Sequence, residues 1–276
     1  MFLKKTIIPF LLITTLLSAC GEYQRVLKST DLEYKLEKGV EYYEAGKYAK
    51  ALPIFDELLT LYRGTQKAQD VYYYYAMTEF NMGNYLVAAY HFKTFYQTFP
   101  NHSFADESAF MVGFCYAKES PTYSLDQTHT FKAMNELQLY INTHPNSAHI
   151  EECNMLIDEM RGKLERKSFE IAKQYWHTDN YKAAVEALSG HLNDYPDTPF
   201  REESMYLKLD ASYKLAKNSI VSLQPQRLKQ TLTAYFELMS AFPDSEYKKQ
   251  ATKIQVEAES MLDILKNQEL NERNSI

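Results

Sequence analysis

Breakers are scarce in this chain. Its 276 residues include 8 glycines and 9 prolines, too few for a loop-rich fold and well suited to long helices. Cysteine is scarcer still, at 3. With Cys20 set aside, Cys115 and Cys153 could form one bridge, but each sits among helically spaced apolar residues, which favours small buried side chains. Lysine and arginine number 30 against 36 acidic residues. That balance excludes the basic surface a nucleic-acid partner requires. Beyond residue 19 no apolar run is long enough to cross a bilayer. The seven histidines (His91, His102, His129, His144, His149, His177, His191) form no H-E-x-x-H and no pair three residues apart. His144 and His149 flank Pro145 and read as exposed loop residues. C-x-x-C and Gly-rich phosphate loops are also missing. The chain therefore reads as non-catalytic, with no cofactor and no metal.

Aromatic residues are abundant, with 23 Tyr and 15 Phe, and they recur at fixed intervals. "GVEYYEAGKYAKALPIF" places Gly39, Tyr42, Gly46, Tyr48, Ala51 and Phe55. "AMTEFNMGNYLVAAYHF" places Ala76, Gly83, Tyr85, Ala88 and Phe92, with Glu79 where the first copy has Tyr42. "AKQYWHTDNYKAAVEAL" places Ala172, Tyr175, Asp179, Tyr181, Ala184 and Leu188. Pro100 and Pro196 follow the second and third copies at the same offset. The small residue admits a close helix crossing, Gly or Asp ends the first helix, and Ala with a large apolar residue lines the second. Pro stops that second helix. This is the tetratricopeptide pattern, one helix–turn–helix per repeat. Two weaker copies run from Gly113 to Pro145 and from Leu209 to Pro243, with turns lengthened in "KESPTYSLDQTHT" and "KNSIVSLQPQR". The expected fold is all-α: a right-handed superhelix of about five repeats with a capping helix from Glu246 to Leu265. One long helix is expected between Pro145 and Asp179.

The N-terminus has its own grammar. Lys4 and Lys5 precede an apolar stretch from Ile7 to Leu17, too short to span a membrane. Leu17-Ser18-Ala19-Cys20 then resembles the bacterial lipobox, in which the cysteine sulfur takes a diacylglycerol, cleavage precedes it, and the new amine is acylated. A plain signal peptide with an incidental cysteine is the alternative. Removing residues 1–19, whose only charges are Lys4 and Lys5, leaves 257 residues with 28 basic and 36 acidic groups. Multiple acyl chains hold a protein stably on a membrane. Gly21 rather than Asp follows the cysteine, which by the lipoprotein sorting rule favours the outer membrane.

"DVYYYYAMTEF" raises a question of faces. Helical spacing turns Tyr72 and Tyr75 toward the partner helix. It sets Tyr73, Met77 and Phe80 on the concave face, beside Tyr43, Phe110 and Phe114 of neighbouring repeats. Such a stripe suits an extended peptide. The same rings could instead fill gaps between repeats.

A lipid anchor ahead of five repeats is similar to the BamD (ComL) family of outer-membrane assembly lipoproteins. The likeness is carried by "YSLDQTHTFKAMNELQLYINTHPNS", by "YPDT" with "REESMYLKLDASYKLA" after it, and by the long joining helix. The resemblance implies a scaffold of the β-barrel assembly machine on the periplasmic face of the outer membrane. Its C-terminal repeats would dock a barrel-type partner through that partner's periplasmic domains, and its N-terminal groove would receive unfolded outer-membrane protein segments. Cys20 alone is carried over as a site residue; Arg201 sits a residue or two from the family's charged contact. A general envelope adaptor built on the same repeats is the rival reading. The expected organisation is a signal peptide over 1–19, a lipidated linker over 20–30 and a groove over 31–145. Partner docking would occupy 146–265, and a polar tail 266–276.

Overall fold

The computed structural model describes residues 21–274, so the lipobox and Cys20 lie outside the described residues. Every regular element among the described residues is helical. Contacts divide the chain between Met160 and Arg161 into two compact units. The first holds α1 (residues 21–28), α2 (Leu32–Glu44), α3 (Tyr48–Leu61), α4 (Lys67–Asn81), α5 (Tyr85–Thr98), α6 (Ala105–Glu119), α7 (Thr128–Thr143) and the start of α8 (Ile150–His177). The second holds the rest of α8, α9 (Tyr181–Asp194), α10 (Arg201–Lys217), a 3₁₀ turn (Val221–Leu223), α11 (Gln224–Ala241) and α12 (Lys248–Asn274).

Three boundaries differ from the sequence expectation. The division falls inside α8 rather than at Pro145, because Cys153, Leu156 and Ile157 pack into the core formed by α4–α7. The anticipated linker over 20–30 is largely helix: α1 buries Val26 against the core of the first repeat, with Tyr23 edge-on to Tyr42 at 5.7 Å. The anticipated polar tail continues α12 through Asn274. Its buried stripe ends with Ala258, and Met261, Leu262 and Leu265 still pack beside it.

The turn grammar is visible in the backbone. Gly46 (φ 68°) and Gly83 (φ 83°) end α2 and α4 in the left-handed region, where a β-carbon would be strained. Asp179 takes the same conformation after α8 (φ 59°), with its carboxylate accepting from the Tyr181 hydroxyl. The two lengthened turns are each held by a glutamine. Gln127 is buried and donates to the carbonyls of Thr122 (2.8 Å) and Leu125 (3.0 Å). Gln224 donates to the carbonyl of Ser219 (3.0 Å). Each clamp satisfies carbonyls that a longer loop would otherwise leave to water.

Within both units, a ring on one first helix lies flat on the ring just before the next first helix. Tyr73 stacks on Phe104 (4.0 Å, 17°) and Phe110 on His149 (4.2 Å, 6°). Phe169 stacks on Phe200 (4.5 Å, 2°) and Tyr206 on Tyr247 (4.3 Å, 9°). Phe104, His149, Phe200 and Tyr247 each immediately precede a helix. Stacking there fixes where the next repeat enters and adds about 0.5–1.5 kcal/mol per pair beyond area burial.

Candidate functional site

The expected aromatic stripe lies wholly in the first unit, on α2, α4 and α6. The structure divides it. Tyr73 and Phe110 are 7% and 4% exposed and belong to the core, which corrects their placement on an open face. The reason is local packing. Tyr73 is hemmed by Phe92 and Phe95 of α5 and by Phe104, and its hydroxyl donates to Glu107 at 2.7 Å. Burial, first of all, and Glu107 then push that phenol far above its ordinary pKa, so it remains a neutral donor. Phe110 lies between Phe114, Tyr140 and His149. These two rings fill the joints between repeats.

Tyr43, Met77, Phe80 and Phe114 keep partial exposure. Tyr43 meets Tyr48 (5.5 Å) and Tyr74 (5.4 Å), and the Asn81 amide donates to its hydroxyl at 3.3 Å. Phe80 touches Tyr85 (5.3 Å) and Phe114 (5.8 Å). The Lys118 ammonium sits over Phe114 at 4.8 Å from the ring centroid. The result is a supported aromatic surface with an amide at one end and a cation at the other. It offers apolar area, the Tyr43 hydroxyl proton and one positive charge, the Asn81 amide being spent on Tyr43 and the Met77 carbonyl, but no nucleophile paired with a base.

Tyr72 and Tyr75 do face the partner helix: both rings contact His91 of α5, and the Tyr72 hydroxyl is 3.1 Å from its Nδ1. Burial holds His91 below the ordinary histidine value. Asn81, Tyr74, Tyr85 and Lys118 were missed by sequence reasoning. Lys118 could have been found, because it lies one turn beyond Phe114. Lys35 was missed as well. It is 2% exposed and paired with Glu57 at 2.6 Å, a lysine in an otherwise apolar core. Cys115 and Cys153 are free and buried. Among the described residues, no group of three or more His, Cys, Asp or Glu side chains is placed to hold a metal. No described helix is long and apolar enough to cross a membrane.

Comparison with known proteins adds a family. The family model YfiO, described as outer membrane lipoprotein, matches residues 31–223. The chain is 22% identical over 209 residues to the outer membrane protein assembly factor BamD of Pasteurella multocida (strain Pm70), covering 70% of this chain and 80% of the relative. Among solved structures it is similar to the TPR2AB-domain:pHSP90-complex of yeast Sti1, at a TM-score of 0.41 and 13% identity, covering 88% of this chain and 95% of that one. It is also similar to a TPR repeats protein from Bacteroides fragilis NCTC 9343, at a TM-score of 0.40 and 16% identity, covering 84% of this chain and all of the other.

Proposed function

Because this chain belongs to the YfiO family of outer membrane lipoproteins, we propose that it is a non-catalytic scaffold of outer-membrane protein assembly, held on the periplasmic face by lipid on Cys20. The observation that carries this reading is the family match over residues 31–223, supported by a curated relative that is itself an assembly factor. In this reading the first unit receives unfolded outer-membrane protein segments, and the second docks a barrel-type assembly partner with periplasmic domains.

The receiving surface is the partly exposed Tyr43, Met77, Phe80 and Phe114, with Lys118 over Phe114. Membrane β-strands alternate apolar and polar residues and carry aromatic girdles. Their rings would gain about 0.5–1.5 kcal/mol for each aromatic pair formed on this surface. Ordering a flexible segment opposes that gain, so capture is weak and reversible, as a handover step needs. Lys118 would face the acceptor groups of the segment.

Two measurements test the proposal. Affinity purification from outer membranes should recover a large β-barrel protein with the wild type. A triple variant, Tyr43→Ala with Phe80→Ala and Phe114→Ala, should lose crosslinking to unfolded outer-membrane strand peptides while retaining that partner. Absence of any barrel protein from the wild-type eluate would overturn the assembly role. Unchanged peptide crosslinking in the folded triple variant would overturn the aromatic surface.

A further inference from the structure

One side of α1 is committed to the core. Val26 is fully buried, and Tyr23 and Leu27 pack beside it against the first repeat. The Lys50 ammonium closes over Tyr23 at 5.4 Å. The opposite side is polar. Gly21, Gln24, Arg25 and Lys28 follow one another at helical spacing, and with Ser29 and Tyr34 they line an open basin of about 540 Å³. Arg25 and Lys28 are exposed, and neither has a carboxylate partner among the described residues.

Three acids close by in sequence have partners of their own. Glu22 pairs with Lys38 at 3.3 Å. Asp31 accepts the backbone N–H groups of Glu33 (3.0 Å) and Tyr34 (3.1 Å), which caps α2. Glu33 pairs with Lys67. The lining of the basin thus carries two cations and no carboxylate, on a chain with 36 acidic and 30 basic residues.

Its place in the chain supplies the occupant. On the reading that Cys20 carries the lipid, the acyl chains are attached one residue before the first described residue of α1. Val26, six residues beyond Cys20, is buried in the core of the first repeat, so at most six residues of chain separate the attachment point from that repeat. We propose that the Gln24–Arg25–Lys28 face of α1 seats on the phosphate headgroups of anionic phospholipid. The seat fixes the direction in which the repeats leave the membrane. The guanidinium fork of Arg25 matches two phosphate oxygens, Lys28 adds a point charge, and Gln24 and Ser29 supply hydrogen bonds to headgroup oxygens. Two such cations near an anionic surface account for about 30-fold in partition, roughly fivefold each. Acyl chains alone give attachment without orientation, whereas a rigid charged face gives both.

The test uses the chain from residue 20 onward with Cys20→Ser, free of acyl groups and containing every residue of the described fold. Its outcome is therefore independent of whether Cys20 is lipidated, which acyl labelling of the wild type measures separately. Flotation with equimolar phosphatidylglycerol–phosphatidylcholine vesicles should recover the protein, and pure phosphatidylcholine vesicles should not. Arg25→Gln with Lys28→Gln should bind the anionic vesicles about 30-fold more weakly. Lys229→Gln with Lys249→Gln, an equal charge change elsewhere on the surface, should bind as the parent does. Inorganic phosphate should compete no better than chloride at equal ionic strength. Equal binding by the α1 variant and the parent overturns the proposal, as does equal binding to neutral vesicles. Selective displacement by inorganic phosphate also overturns it, since that would mark a discrete phosphate site.

Discussion

Tyr73 lies flat on Phe104, with ring centroids 4.0 Å apart and planes 17° apart, while its hydroxyl reaches Glu107 on the next helix. One side chain therefore holds two successive repeats by two separate contacts. Tyr73→Phe keeps the stack and removes a single hydrogen bond, so it should lower unfolding stability by about 1 kcal/mol. Tyr73→Ala also empties a core position and should cost about 3–5 kcal/mol. Urea denaturation followed by circular dichroism measures both. An alanine variant with wild-type stability but weakened peptide capture would return Tyr73 to the binding surface.

Two glycines make opposite predictions. A β-carbon at Gly113 would stand 2.7 Å from Cγ and Cδ2 of Leu137, where α6 and α7 cross. Gly113→Ala should therefore cost about 1–3 kcal/mol through overpacking. Gly162 lies mid-helix in α8 with nothing within 4 Å of its would-be β-carbon. Gly162→Ala should stabilise by about 1 kcal/mol. Thermal melts of the two variants should move in opposite directions, and a shared direction would contradict the crossing geometry.

His191 occupies the position held by Leu58, Phe95, Tyr140 and Leu238 in the other repeats. It is 1% exposed, and neither ring nitrogen has a hydrogen-bond partner. Phe169 and Tyr195 flank the ring, at 5.7 and 5.5 Å. Burial lowers its pKa, against a smaller opposing pull from Glu165 and Asp194. A base held below its ordinary value binds its proton more readily in the unfolded chain. Stability should therefore fall as pH drops from about 6.5 toward the lowered value. His191→Leu should raise the melting temperature and flatten that slope. Parallel pH profiles for variant and wild type would show that another group is responsible.

Burial raises the Cys115 thiol to about 12 and the Cys153 thiol to about 11. Both should remain protonated and resist iodoacetamide in the native protein at neutral pH, then react fully in denaturant. Mass spectrometry of alkylated samples reads this directly. Rapid native labelling of either thiol would mean that its repeat opens locally.

The sequence alone determined the all-α class, the helix pairs, their turns and the long α8. Each of these rests on a short-range rule. A small residue admits a crossing, Gly46, Gly83 or Asp179 ends a helix, and Pro100 or Pro196 ends its partner. It also put Tyr72 and Tyr75 against α5, since one helix pair suffices for that inference. Tertiary structure alone decided which remaining rings stay open. The first helix of an inner repeat is covered by its own partner and by the repeats on either side, so a single-stripe argument leaves most of its circumference undetermined. Tyr73 and Phe110 were lost to the core because Phe104 and His149, each contributed by the turn before the next repeat, close over them. The same holds at the N-terminus. Val26 looks like an incidental apolar residue in a linker until Tyr42 and its neighbours offer it a place to be buried, and that burial, far along the chain from its partners, turns the linker into a helix.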